Sequence, residues 1–274
     1  MTSWRFAAPA HPLVHPVPAF TDNYLWLLQA PDSNAASVID PGDAEPVLRA
    51  LETRSLRLVS ILLTHHHADH AGGVAELTAR TGARVIGPAD DRIAGITQTV
   101  GGGDVVDPGV GGARAQVISV PGHTTSHIAY RFGPLGSDPR PILFCGDTLF
   151  AAGCGRMFEG TAAQMLNSLD ALAALSADTL VYCAHEYTLS NLKFAAAAEP
   201  DSPEVAARLA EAASMRAAGM ATVPSTIAIE RATNPFLRTD QRGVIAQAAT
   251  QLGRTPADRI ETFAALRQWK NDFR

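Results

Sequence analysis

Thr64-His65-His66-His67-Ala68-Asp69-His70 is the stretch on which the interpretation of this 274-residue sequence depends. The apolar run before it, residues 58–63, predicts a buried strand, and Gly72 and Gly73 separate it from a helix-like segment. The stretch therefore lies on a loop at a strand end, where open α/β sheets bind ligands. Neutral imidazole and carboxylate are common ligands of divalent metals. The pattern predicts a metal site rather than a polar surface loop.

Composition and charge limit the classes of function. Hydrophobic residues make up 46% of the sequence and charged residues 18%, which is typical of a globular protein. The net charge is −5 without a basic tract, which argues against a nucleic acid partner. No apolar run is long enough for a membrane span, and residues 1–10 lack the pattern of a signal peptide. The three cysteines form no CxxC motif, which predicts a reducing, cytoplasmic setting.

Strand-like segments dominate the sequence up to about residue 187. They cover residues 12–20, 24–29, 36–40, 58–63, 83–87, 113–120, 126–132, 141–145 and 179–183. Helices are predicted over residues 44–54, with Asp43 as cap, and over 74–80, while the glycine-rich stretch 101–112 is typical of hairpin connections. This part predicts an α+β fold in which two sheets form a sandwich with helices outside.

The remainder of the sequence is predicted to be helical. Helix-like segments cover residues 192–198, 205–217, 225–232, 240–252 and 256–269. We therefore predict two domains, residues 1–187 with the sandwich and residues 188–274 with a small helical domain.

Seven side chains at strand ends are candidate metal ligands. They are His65, His67, Asp69, His70, His123, Asp147 and His185. A single tetrahedral ion takes about four ligands, so seven suit two ions that share a bridging carboxylate and a water. Two such ions lower the pKa of water and polarise a carbonyl group, which is the chemistry of hydrolysis at neutral pH.

Other polar residues near the candidates have less specific interpretations. His66 alternates out of phase with His65 and His67, so its ring should point away from a metal that they share. His127 is predicted to support a ligand or to lie in the core, whereas His11 and His15 are interpreted as structural. Asp40 also ends an apolar strand, where it either holds a histidine ring or caps a turn.

Several motifs of the sequence together resemble those of a known family. Thr64-His65-x-His67-x-Asp69-His70, Pro121-Gly122-His123-Thr124, Gly146-Asp147 and His185 resemble, in this order, the signature of the metallo-β-lactamase superfamily. Within it, the sequence closely resembles the glyoxalase II (hydroxyacylglutathione hydrolase) family. The residues that carry this narrower resemblance are Phe20 to Tyr24, Phe150, Gly153 to Thr161, Cys183 to Asn191 and Asn234 to Arg238.

The resemblance implies an αββα sandwich followed by a helical domain, and it implies a division of the ligands between two divalent ions. His65, His67 and His123 would hold the first ion, Asp69, His70 and His185 the second, and Asp147 would bridge both. Zinc is the expected metal, and the nitrogen and oxygen ligands also accept iron or manganese.

The family substrate is S-D-lactoylglutathione, which is hydrolysed to D-lactate and glutathione in the second step of methylglyoxal detoxification. The resemblance implies an attacking hydroxide activated by the two ions, with Asp69 and Asp147 as the catalytic side chains. It also implies that this small molecule binds through Arg156, Phe158, Tyr187, Arg267 and Lys270. We expect the chain to be a monomer. Phe158 lacks the hydroxyl group that some members carry there. Cys154 has no adjacent base and is interpreted as a packing residue.

Three alternative functions compete with this hypothesis. One is a lactonase or β-lactamase on the same fold, against which the C-terminal helices and residues 153–160 argue. Another is an iron dioxygenase of glutathione persulfide, which would not need the second set of ligands. The third is a metal-binding protein without catalysis, on a fold that hosts many functions.

Overall fold

Two packed sheets form the centre of the protein, as seen in a computed structural model that describes residues 5–6 and 10–273. In chain order the strands are β1 (Arg5–Phe6), β2 (Val14–Ala19), β3 (Asn23–Gln29), β4 (Ala35–Ile39), β5 (Arg57–Leu62), β6 (Arg84–Gly87), β7 (Gln98–Thr99), β8 (Val105–Val106), β9 (Ala115–Ser119), β10 (Ile128–Phe132), β11 (Ile142–Gly146), β12 (Leu149–Phe150), β13 (Gly153–Cys154), β14 (Leu180–Cys183), β15 (Met220–Ala221) and β16 (Ser225–Thr226).

Helices cover the outer faces and make up most of the C-terminal region. They are α1 (Ala44–Arg54), α2 (Ala68–Ala71), α3 (Val74–Thr81), α4 (Ala162–Ala173), α5 (Thr188–Ala198), α6 (Pro203–Ala217), α7 (Ile227–Thr233), α8 (Arg242–Leu252) and α9 (Arg259–Asp272). One 3₁₀ turn, Pro235–Leu237, follows α7.

Each main sheet has six strands and contains a parallel part. The first has the order β2-β3-β4-β5-β6-β7, and its strands from β4 to β7 are parallel. The second has the order β16-β14-β11-β10-β9-β8, in which β11 and β14 are parallel. Because β9 and β11 are both antiparallel to β10, the carboxyl ends of β9, β11 and β14 lie at one edge.

Successive residues of the central strands face different cores. Leu28 and Leu62 belong to the large cluster between the sheets, whereas their neighbours Leu27 and Ile61 belong to a second cluster under α1 and α3. Side chains of a strand alternate between the two faces of its sheet, so a strand covered on both faces is apolar throughout. This explains why the predicted strands appear as continuous apolar runs.

Helix caps account for where α1 and α4 begin. The Asp43 side chain accepts a hydrogen bond from the backbone of Glu45, as predicted for the cap of α1. Thr161 and Gln164 form a capping box at α4, a helix that the sequence analysis did not assign. The spacing of these two residues before an apolar run was the signal that could have identified this helix.

The sandwich with a helical C-terminal region is confirmed, with one correction in the C-terminal part. Residues 225–232 were predicted as helix, but Ser225–Thr226 forms β16 and pairs with β14 before α7 begins. Short strands of this kind lack a periodic pattern and form because a neighbouring sheet edge offers backbone partners. The C-terminal region therefore completes the second sheet as well as adding helices. Within residues 5–6 and 10–273, no helix is long and apolar enough to cross a membrane.

Leu169 tests the packing of α4 on the second sheet. Its side chain is fully buried, so Leu169→Ala should lower the free energy of unfolding by about 2–5 kcal/mol, measured by denaturant titration. Leu252→Ala, at a partly exposed position on α8, serves as the control and should cost less than about 1 kcal/mol. Equal losses in the two variants would contradict this packing.

Candidate metal centre

The seven predicted ligands come together at one edge of the sandwich. His65 and His67 follow β5, and Asp69 and His70 lie on the short helix α2 just beyond. The loops after β9, β11 and β14 supply the other three, His123, Asp147 and His185. These loops meet because the carboxyl ends of the contributing strands lie at the same edge. The structure thus brings together all the side chains that the sequence analysis selected as ligands.

Three histidines form the first group of donor atoms. Nδ1 of His67 lies 3.1 Å from Nε2 of His65 and 3.0 Å from Nε2 of His123. The outer nitrogen of His123, Nδ1, donates to the backbone carbonyl of Arg156 at 2.8 Å. This hydrogen bond fixes the ring so that Nε2 faces the other two histidines.

A carboxylate and two histidines form the second group. Oδ2 of Asp69 lies 3.5 Å from Nε2 of His70 and 3.5 Å from Nε2 of His185. Both histidine side chains are almost fully buried, whereas the Asp69 side chain is 43% exposed. Asp69 is therefore the member of this group that opens toward the solvent.

Asp147 lies between the two groups and faces both. Its Oδ1 is 3.4 Å from Nε2 of His70 and 3.3 Å from Nε2 of His185. Its Oδ2 is 3.5 Å from Nε2 of His123. One oxygen is directed at each group, which is the geometry required of a bridging carboxylate.

Gly155 allows the loop after β13 to pass directly beside this carboxylate. A Cβ atom at this position would lie 1.9 Å from the backbone oxygen of Asp147 and 3.1 Å from Nδ1 of His123. Any side chain here would displace one of the two, so the close approach requires glycine.

Hydrogen bonds to the outer nitrogens orient the buried histidines. Asp40 accepts from the backbone N–H and the hydroxyl group of Thr64, each at 2.7 Å, and from Nδ1 of His70 at 3.2 Å. Because the Thr64 hydroxyl proton is used in this way, its oxygen accepts from Nδ1 of His65 at 3.0 Å. Both interpretations of Asp40 therefore hold, since it stabilises the turn and also holds a histidine ring.

The turn between β2 and β3 contributes two supporting residues that the sequence analysis did not assign. Oδ1 of Asp22 accepts from Nδ1 of His185 at 2.8 Å. Asn23 donates to Oδ2 of Asp69 at 3.1 Å. The turn pattern gave no indication of this role, although both residues belong to the motif from Phe20 to Tyr24.

The donor atoms fit the binding of cations and do not fit hydrogen bonding among themselves. Since Nδ1 of His65, His70 and His185 donates outward, Nε2 of each neutral ring carries a lone pair directed inward. Nε2 of His70 and Oδ1 of Asp147 are buried without a hydrogen-bond partner among the described residues. Lone pairs this close repel one another unless positive charge lies between them, so the donor set fits a binuclear site for divalent metal ions.

The electrostatics of the second group favour positive charge. Burial alone would lower the pKa of His185, but Asp147 and Asp22 raise it to about 9. Burial would likewise lower the pKa of His70, yet Asp147, Asp40 and Asp69 raise it well above its usual value. Burial would raise the pKa of Asp147, but the charges of His70 and His185 hold it well below its usual range. Asp147 therefore stays ionised and attracts a cation.

A cavity of about 490 Å³ opens beside the donor atoms and is lined by cationic residues on its far side. Arg156, Arg267 and Lys270 all line it, together with Asp147 and His123. Burial lowers the pKa of Lys270, and the charges of Arg267 and Arg156 lower it further, so the three cations lie close enough to repel one another. An anionic ligand would relieve this repulsion.

The predicted aromatic residues also lie at this cavity. Tyr187 stacks on His185 with ring centroids 4.8 Å apart and an angle of 3° between the planes. Phe158 is 63% exposed and presents its ring edge-on to His67 and His123, at centroid distances of 5.6 and 5.3 Å. Its ring therefore covers the first group of histidines without needing a hydroxyl group.

The remaining residues considered from the sequence lie outside the donor groups. His66 points away, 3.5 Å from Asp90 and 3.6 Å from Glu159. His127 is buried and stacks on His65, and its Nε2 accepts from the backbone of Asp147 at 3.2 Å. Cys154 is buried, and burial raises the pKa of its thiol, which agrees with its interpretation as a packing residue.

Comparison with known proteins agrees with this geometry. A family model described as Metallo-beta-lactamase superfamily matches residues 20–185, and one described as Hydroxyacylglutathione hydrolase C-terminus matches residues 186–273. A hydroxyacylglutathione hydrolase of Ectopseudomonas mendocina is 52% identical over 258 residues, covering 94% of this chain and 98% of the relative. One from Albidiferax ferrireducens has the same identity and coverage.

The chain belongs to the hydroxyacylglutathione hydrolase family. This confirms the family indicated by the Gly153-to-Thr161 and Cys183-to-Asn191 motifs. Among solved structures, ETHE1 from Myxococcus xanthus matches with a TM-score of 0.63 and 26% identity, covering 93% of this chain and 97% of that one. The two family models meet at residues 185 and 186, so the last candidate ligand, His185, ends the part matched by the first model.

The Asp22 side chain provides a test of how hydrogen bonds to the outer histidine nitrogens support the metal site. Asp22→Ala removes the acceptor of His185 Nδ1, so metal affinity should fall about 10- to 100-fold in a competition with a chelator. Asp32→Ala, at an exposed carboxylate elsewhere, should leave the affinity unchanged. Unchanged affinity in the Asp22 variant would show that His185 does not need this partner.

Proposed function

We propose that the chain hydrolyses S-D-lactoylglutathione to D-lactate and glutathione at a centre of two divalent metal ions. The observation that carries the proposal is the position of Asp147, which faces both donor groups and also lines the cationic cavity. A reacting carbonyl group held in this cavity would lie next to the metal centre. The names of the relatives support the choice of a glutathione thioester as substrate.

The two ions would be held as the family resemblance implies. His65, His67 and His123 are proposed as ligands of the first, and Asp69, His70 and His185 as ligands of the second, with Asp147 shared. Imidazole and carboxylate ligands without thiolate accept zinc, iron or manganese, and we propose zinc as the physiological metal. When bound, the ions supply an activated water as nucleophile and polarise the thioester carbonyl.

The glutathione part of the substrate carries two carboxylates and would bind on the cationic side of the cavity. Lys270 donates to Ser190 at 3.0 Å and is half-buried, so it can turn to a carboxylate without a large change of position. Arg267 is 4% exposed and donates to the backbone oxygen of Cys154, which directs its guanidinium group along the cavity wall. Arg156 is exposed and can approach the second carboxylate.

The protein's own groups orient the reaction. Asp69 accepts a hydrogen bond from Asn23, and its pKa lies well below the usual range because the interaction with His70 and this hydrogen bond outweigh the effect of burial. Asp69 therefore stays ionised, and it orients the attacking water rather than accepting a proton from it. The oxygen of the attacking water adds to the carbonyl carbon and the carbon–sulfur bond breaks. D-lactate and glutathione thiolate leave, and the two protons of the water pass to the solvent. Phe158 and Tyr187 are proposed to shield the acyl group from bulk water.

The direct test is loss of the thioester absorbance of S-D-lactoylglutathione, measured before and after a chelator, with metal analysis of the same sample. We expect chelator-sensitive hydrolysis with close to two metal ions per chain, about the number that seven shared ligands support. Asp147→Ala should lose both metal and turnover, because each oxygen of this side chain faces one donor group. Hydrolysis that persists without metal would contradict the proposal.

The cationic side of the cavity is tested by Lys270→Ala. We expect KM to rise about tenfold with kcat changed less than about twofold, because the contact is remote from the reacting bond. Lys193→Ala is the control, since Lys193 is the other lysine of the sequence and is exposed on α5. A change in kcat alone would argue against a binding role for Lys270.

We propose, from the sequence alone, that the chain acts as a monomer. The cytoplasmic location stays a prediction from the sequence.

A further inference from the structure

A short hairpin connects two chemically important residues of the cavity lining. It consists of β12 and β13, and it joins Asp147 in the metal centre to Arg156 on the cationic side. Ala152 at its turn has a φ of 55°, a left-handed conformation that is unfavourable for a residue with a side chain. The hairpin is therefore held in place by contacts from outside its own sequence.

Glu230 on α7 reaches this turn from the helical region. Its side chain is fully buried, and Oε2 accepts from the backbone N–H of Ala152 at 2.8 Å. Its other oxygen, Oε1, accepts from Nη2 of Arg208 at 2.6 Å and from the hydroxyl group of Ser225. The carboxylate thus connects a buried ion pair to the turn of the hairpin.

Other polar groups of the helical region contact the same hairpin. The Asn234 side chain donates to Glu230 at 3.1 Å and to the carbonyl group of Gly153 at 2.9 Å. Asn191 donates to the carbonyl group of Ala151 at 3.1 Å, and Arg267 donates to that of Cys154 at 2.8 Å. The last contact matters for substrate binding, because it couples the position of the hairpin to that of a cavity cation.

We propose that Glu230 is a positioning residue that sets the hairpin, and through it the cationic side of the cavity, for the glutathione carboxylates. This inference rests on the proposed function. Glu230 does not line the cavity, so its effect on the reaction passes through Ala152 to Arg156 and through Cys154 to Arg267. A residue of this kind affects substrate binding without contacting the substrate.

The alternative is that Glu230 serves only the stability of the fold, as a buried ion pair with Arg208. A matched pair in the same region separates these roles. Glu199 is 7% exposed and accepts from Arg238 at 2.6 and 3.0 Å, and none of its hydrogen bonds reaches the hairpin. Substitution of Glu199 should therefore affect stability alone.

The test compares Glu230→Gln with Glu199→Gln in the full chain loaded with metal. An amide has one acceptor oxygen, and the charged Arg208 should keep it, so the amide NH₂ would face the N–H of Ala152. We expect KM for S-D-lactoylglutathione to rise about tenfold in Glu230→Gln, with kcat changed less than about threefold and metal content unchanged. Glu199→Gln should lower the urea midpoint and leave KM within about twofold.

Glu230→Asp keeps the test decisive if the glutamine variant fails to fold. Aspartate retains the charge for Arg208 but is one methylene group shorter, so it loses contact with Ala152 and should raise KM in the same way. An unchanged KM in the folded Glu230 variants, or an equal change in Glu199→Gln, would overturn the inference while leaving the proposed function intact. A lack of hydrolysis by the unsubstituted protein would overturn the proposed function and this inference with it.

Discussion

The crowding of inward-facing lone pairs at the edge of the sandwich is the constraint on which the rest of the structure depends. Nδ1 of His67 lies about 3 Å from Nε2 of His65 and from Nε2 of His123, and Asp147 directs one oxygen at each donor group. No arrangement of protons on neutral rings satisfies all these atoms, because the outer nitrogens already donate to oxygen acceptors. Divalent cations resolve the repulsion, and the surrounding fold keeps the donors in place for them.

The sandwich meets this constraint by placing several strand ends at one edge and by holding four of the five histidine rings through their outer nitrogens. Asp40, Thr64, Asp22 and the Arg156 carbonyl group each receive a histidine proton, so the direction of each inner lone pair follows from a hydrogen bond. Such outer partners usually affect metal affinity almost as strongly as the ligands themselves. The centre therefore extends well beyond seven side chains, into the turns that hold the rings.

The C-terminal region supplies residues to the cavity and also holds parts of the sandwich in place. It supplies Arg267 and Lys270 to the cavity, and it holds the hairpin between Asp147 and Arg156 through buried polar groups. Its strand β16 also completes the second sheet beside β14. Metal chemistry and substrate charge recognition are thus joined by direct contacts, which suits an enzyme that must place a long anionic substrate next to its metal centre.

The sequence by itself determined the longer strands of the sandwich, the helix Ala44–Arg54 and the seven candidate ligands, which are the six side chains of the two donor groups and Asp147 between them. These are local properties, because apolar periodicity defines strands and helices, and histidine and aspartate at strand ends are recognisable as ligands. Only the tertiary structure decided which outer atom holds each ring, that Ser225–Thr226 joins a sheet, and that Glu230 reaches Ala152. Those partners lie up to 163 residues apart, and an aspartate in a turn has the same local pattern whether it caps the turn or orients a histidine.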